Sequence, residues 1–93
     1  MARTATYRLI TPTTTGATDD YTPPRNCIAS IVVPSTGNIT LEVYSSILQQ
    51  WMDVEDEDGV VTRTADSQVV LPGGYTYRGN VTTYVAGMKI GFD

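Results

Sequence analysis

The sequence predicts an all-β protein: a small, jelly-roll-like β-sandwich of about eight short antiparallel strands. Three observations lead there. Apolar residues recur at every second position in several runs, such as Ile39, Leu41 and Val43, or Met88, Ile90 and Phe92. That period places them on one face of a pleated strand. The runs are punctuated by glycine, proline and aspartate clusters suited to tight turns, and no stretch carries a helical apolar period long enough to form a layer of its own. With 93 residues, 41% of them hydrophobic, the chain can build one core but not two. A monomer of this size is marginally stable, which favours assembly into a symmetric oligomer.

In chain order, residues 5–10 are rich in β-formers and predict a first strand at a sheet edge. Residues 11–24, TPTTTGATDDYTPP, have no apolar period and predict a flexible loop or arm ordered by a neighbour. Thr14, Asp19 and Tyr21 in that arm are candidate partner contacts. Residues 27–33 are almost continuously apolar, the pattern of a central strand covered on both faces. The PSTGN segment that follows breaks this run, and residues 39–44 then alternate, so the two runs read as a hairpin. Residues 45–50 read as a connector with room for one helical turn.

Residues 51–78, WMDVEDEDGVVTRTADSQVVLPGGYTYR, are the densest succession of runs and turn signals and predict an antiparallel meander. Asp58-Gly59 supplies the positive φ of a tight hairpin. In Pro72-Gly73-Gly74, proline presets one turn dihedral and a glycine takes the other. Beyond that turn, Tyr75, Tyr77 and Val81 are expected on one face, with Thr76 and Arg78 on the other. The alternation of Ala86, Met88, Ile90 and Phe92 predicts a last strand tied into the sheet.

Composition narrows the chemistry. There is no histidine, which removes the commonest general base and metal ligand. The single cysteine, Cys27, lies in an apolar run and reads as a small buried hydrophobe without a disulfide partner. Net charge is -4, with six scattered Lys and Arg residues, so no nucleic-acid partner is expected. No apolar run is long enough to cross a bilayer as a helix, and no membrane partner is expected. The opening residues lack the apolar core of a signal peptide, and the chain reads as made and used without secretion.

The acids Asp53, Glu55, Asp56, Glu57 and Asp58 suggest a cation loop. With Gly59 at the sixth position, however, Val54 would take the first and Ala65 the twelfth, where an EF-hand needs acids. The run reads as a solvated turn, with a different kind of cation site as the alternative. Asp19 with Asp20, or Asp53 with Glu55, could form a carboxylate pair, but neither is set in an apolar run that would raise one pKa. The expectation is therefore a protein without enzymatic activity or cofactor. Trp51 reads as core or half-buried, while Tyr44 and Tyr84 fall out of step with the apolar rows and are candidate partner contacts.

The succession Ser35-Thr36-Gly37-Asn38-Ile39-Thr40-Leu41-Glu42-Val43, then Trp51-Met52-Asp53-Val54, then Val69-Val70-Leu71-Pro72-Gly73-Gly74-Tyr75-Thr76-Tyr77-Arg78, closing on Gly87-Met88-Lys89-Ile90-Gly91-Phe92, resembles small virion proteins of tailed bacteriophages. This pattern of strands and turns covers about two-thirds of the chain and carries no functional residue with it. The resemblance implies a β-sandwich or jelly-roll unit on the capsid surface. It further implies a homotrimer that decorates or cements the lattice of the major capsid protein, with a tail or fibre part as the alternative location. A glycan-binding module using the exposed tyrosines is the expectation from a different functional class.

Overall fold

Period-two burial organises the chain from its first described strand to its last. The computed structural model describes residues 8–93. The strands are β1 (Arg8–Ile10), β2 (Gly16–Tyr21), β3 (Cys27–Val32), β4 (Asn38–Ser45), β5 (Gln50–Asp53), β6 (Glu55–Asp56), β7 (Gly59–Val60), β8 (Thr62–Arg63), β9 (Ser67–Leu71), β10 (Tyr77–Thr83) and β11 (Lys89–Phe92), with no helix among the described residues. One sheet has the order β1-β11-β3-β9, and the other β2-β10-β4-β5 with β8 also on β4; β6 and β7 form a separate hairpin. All pairings are antiparallel. Without the two-residue strands β6, β7 and β8, the orders become first-eighth-third-sixth and second-seventh-fourth-fifth. This is the strand order of a jelly roll, and it bears out the predicted all-β sandwich.

The core lies between the sheets. Ala29, Ile31, Ile90 and Phe92 point in from one sheet, and Ile39, Leu41, Tyr77 and Val81 from the other, all buried. Gly79 is required where the layers come closest: a Cβ there would stand 2.6 Å from Ile39 Cδ1 and 2.7 Å from Ile90 Cδ1. The ring of Phe92 lies 5.4 Å from that of Tyr21 and 6.5 Å from that of Tyr77, closing one end of the core with aromatics.

Several local expectations hold. Gly59 has φ 107° between β6 and β7, and the Asp58 N–H donates to Asp56 Oδ1 at 2.9 Å, which fixes the turn. Gly74 has φ 86°, and its N–H donates to the Pro23 carbonyl at 2.8 Å. Gly73 packs so closely on Arg25 that a Cβ would overlap the Arg25 main chain.

Other expectations are corrected. Residues 11–24 are not a structureless arm, because they contain β2, which pairs with β10 through Tyr21 opposite Tyr77 and Asp20 opposite Arg78. At the β-bulge between the Arg78–Asp20 and Asn80–Ala17 pairs, the Gly79 N–H donates to the Thr18 hydroxyl at 3.0 Å. The strand thus arises from tertiary pairing, to which its own composition gives no signal.

β3 and β4 are not a hairpin. β3 pairs with β11 and β9, whereas β4 pairs with β10, β5 and β8. The turn between them, with Ser35 at φ 51° and the Gly37 N–H bonded to the Pro34 carbonyl, carries the chain from one sheet to the other. Residues 51–78 likewise do not form a meander, since β9 joins the four-stranded sheet while β5, β8 and β10 belong to the five-stranded one. Residues 45–50 form the tip of a β4–β5 hairpin with no helical turn. The predicted first strand begins at Arg8; its residues 5–7 lie outside the described residues.

Candidate functional site

The solvent-facing side of the five-stranded sheet gathers side chains far apart in sequence. Register places Tyr44 opposite Trp51, and Arg78 opposite both Glu42 and Asp20. Ile39, Leu41 and Val43 fill the inner face of β4, so its alternate residues Thr40, Glu42 and Tyr44 must point outward. The Tyr44 and Trp51 rings meet edge to face, with centroids 5.4 Å apart. The Arg78 guanidinium lies over the indole at 4.0 Å from its centroid, and its Nε donates to Glu42 Oε1 at 2.7 Å. The Arg78 and Glu42 side chains are 26% and 14% exposed, so the ion pair is shielded enough to hold Arg78 in place. Aromatic contact, cation–π contact and charged hydrogen bond thus fix Trp51 as a half-buried plate on a rigid surface. Trp51 is half-buried, as expected, but on the outside of the sheet and not in the core.

At one end of this patch the β4–β5 hairpin projects. Ile47 at its tip is 91% exposed and Leu48 58%. The tip is held by Gln49 at φ 53° and by the Leu48 N–H donating to Ser45 Oγ at 3.2 Å. Tyr44, also exposed, joins tip to plate. Aliphatic side chains shown to water beside Trp, Tyr and Arg bring together residue types that contribute most where proteins meet.

The residues singled out from sequence do not converge. Tyr44 belongs to this patch. Thr14 lies exposed in the β1–β2 loop, and Asp19 on β2 makes a 3.7 Å ion pair with Arg8. Tyr21 and Tyr84 are partly buried against the core, so they contribute more to packing than to an open surface. Trp51, Arg78, Glu42 and Ile47 were missed as a group because only strand register brings them together. The unpaired apolar dipeptide Ile47-Leu48 between polar neighbours was the one signal that could have pointed there.

Two buried titratable groups, Tyr77 and Cys27, belong to the core. The Tyr77 hydroxyl donates to the Pro72 carbonyl at 2.8 Å, and burial, then Cys27 and Tyr75, push its pKa up from 10.0 to about 12. The Cys27 thiol, buried and unpaired, is raised by burial first and by the Asp93 charge second. Among the described residues no group of three or more acids and cysteines is arranged to hold a metal ion. The acidic turn instead spends Asp56 on its own main chain and on Arg63, 3.6 Å away. Compared with protein-family models, curated proteins and solved structures, the chain matches none of them.

Proposed function

We propose that this chain is a non-enzymatic structural protein of a virus particle. In this reading it is a decoration or cement protein that assembles as a homotrimer on a bacteriophage capsid and grips the lattice of the major capsid protein. The observation that carries the reading is the outer patch of the five-stranded sheet, where Trp51 is locked by Tyr44 and Arg78 beside the projecting Ile47. Preordered Trp, Tyr and Arg side chains contribute most to protein–protein affinity because little entropy remains to be lost on docking. The jelly-roll strand order supports the virion setting by analogy, since capsid and lectin domains share that architecture.

The lectin side of that analogy motivates a glycan-binding reading on the same aromatics. It is the weaker reading, because Arg78 already occupies a face of the indole on which a sugar would stack. The test is sedimentation at micromolar protein, together with binding to emptied capsids of the particle whose genome encodes the chain. A trimer and saturable binding are expected. Trp51→Ala and Ile47→Asp should each weaken binding about 10- to 100-fold while the far-UV spectrum is retained. A monomer without capsid affinity would overturn the proposal. A glycan-array hit that quenches Trp51 fluorescence would replace it with the alternative.

A further inference from the structure

A sheet edge offers unpaired main-chain groups, and among the described residues three of the four strands that end the two sheet orders are protected against pairing. β1 is three residues long and carries Arg8, β2 holds Asp19, Asp20 and a bulge, and β5 ends on Asp53. Charges, bulges and short length are the usual defences of an edge. β9 has none of these. Its sequence Ser67-Gln68-Val69-Val70-Leu71 is uncharged, and it pairs with β3 without a break in register. The preceding Asp66 does not guard it either, because Asp66 Oδ1 is turned inward to accept the Val33 N–H at 2.9 Å.

The direction of the open groups follows from the ladder. Ile28 exchanges both main-chain bonds with Asp93, on the β11 side of β3. Antiparallel pairing alternates, so Cys27, Ala29 and Ile31 bond toward β9, to Leu71, Val69 and Ser67. Gln68 and Val70 therefore direct their N–H and C=O groups away from the sheet. Beside them runs a groove of about 370 Å³, with Val43, Val54, Val69 and Leu71 among its apolar lining and Asp53, Glu55 and Asp56 along the opposite lip.

We infer that β9 is an acceptor edge for an extended segment of another protein. That segment adds to the four-stranded sheet as a fifth strand, placing alternate apolar side chains in the groove and lysine or arginine against the acidic lip. Main-chain bonds to Gln68 and Val70 supply register, the groove selects aliphatic residues at every second position, and the lip selects basic flanks. A second copy of this chain is the poorer occupant. Antiparallel pairing of two β9 edges would bring two sets of Asp53, Glu55 and Asp56 together, on chains that each carry a net charge of -4. The groove meets the Trp51 patch only at Asp53 of β5, none of Trp51, Tyr44, Arg78 or Ile47 lines it, and the inference stands or fails independently of the capsid reading.

The experiment titrates isotope-labelled protein with a synthetic peptide of about ten residues, alternating valine and threonine with lysine at both ends. Saturable shifts of the Gln68 and Val70 amides, with slower hydrogen exchange at both, are expected. The same peptide with glutamate ends should bind about tenfold more weakly. Val70→Pro removes an N–H that the ladder does not use, and should lower affinity about tenfold or more. The double variant Asp53→Lys, Glu55→Lys changes only exposed side chains and should invert the preference between lysine- and glutamate-ended peptides. Three results would each overturn the inference: saturation without shifts in residues 67–71, an unchanged end-charge preference in the double variant, or concentration-dependent broadening of these amides without peptide, which would assign the edge to a second copy.

Discussion

The two sheets of the sandwich present similar kinds of aliphatic and aromatic residue to each other but very different ones to solvent. The outer face of the five-stranded sheet crosses Asp20, Arg78, Glu42 and Asp53 in register and carries the Tyr44–Trp51 pair beside them. The outer face of the four-stranded sheet carries Leu9, Ile28 and Val70, all exposed, around the small residues Ser30 and Gly91. Closing the core dictates the inner faces and leaves the outer ones free to differ. Functional information therefore lies in the solvent-facing half of each strand. One sheet offers fixed polar and aromatic chemistry, and the other an apolar face with an unguarded edge.

The largest expected effect comes from the half the two sheets share. Phe92→Ala removes a fully buried ring that meets Tyr21 and Tyr77, and should cost about 3–5 kcal/mol in urea unfolding. Gly79→Val should cost about 1–3 kcal/mol by forcing Ile39 and Ile90 apart, without loss of any contact from the native chain. Arg78→Met tests the outer face of the five-stranded sheet. It removes the bond to Glu42 and the cation over Trp51, and should cost about 1–2 kcal/mol with a red shift of Trp51 emission.

Alkaline unfolding probes the shared interior through Tyr77. Its phenol is held protonated from the ordinary 10.0 up to about 12. Between those values the unfolded chain has lost a proton that the folded chain keeps. Stability should therefore fall as pH rises from 10 to about 12, and Tyr77→Phe should flatten that fall. The smallest effect belongs to the open face: Ile28→Thr, one position from buried Ala29, should change stability by less than about 0.5 kcal/mol. A cost comparable to that of Phe92→Ala would mean that the four-stranded face is covered in solution, and the contrast between the sheets would disappear.

The sandwich class was legible because β4, β10 and β11 alternate cleanly, and the turns at Gly59 and Gly74 adopt the positive φ that their sequences suggest. The connectivity was not, because alternation identifies the buried face of a strand but not its neighbour. β3 shows the cost of the ambiguity. Its unbroken apolar run suggested cover on both faces, yet Ile28 is 43% exposed. β2 was invisible because GATDDY gains its strand from β10 and from the Thr18 hydroxyl, through pairings far away in the chain. Trp51 and Met52 are adjacent and both apolar, so sequence could not say which faces the core. The register with Tyr44 turns Trp51 outward, while Arg78, 36 residues from Glu42, reaches the site only through the fold.

Cys27, the one thiol, sits shut away opposite Leu71 at the end of the β3–β9 pairing. Burial also holds it in its less nucleophilic, protonated form. A thiol reagent added to the native protein meets a side chain only 8% exposed, so labelling quickens when that part of the sandwich parts, and its speed becomes a clock for local opening. The clock is built into the wild-type chain and needs no engineered reporter, and anything that fastens down the neighbouring strand will slow it.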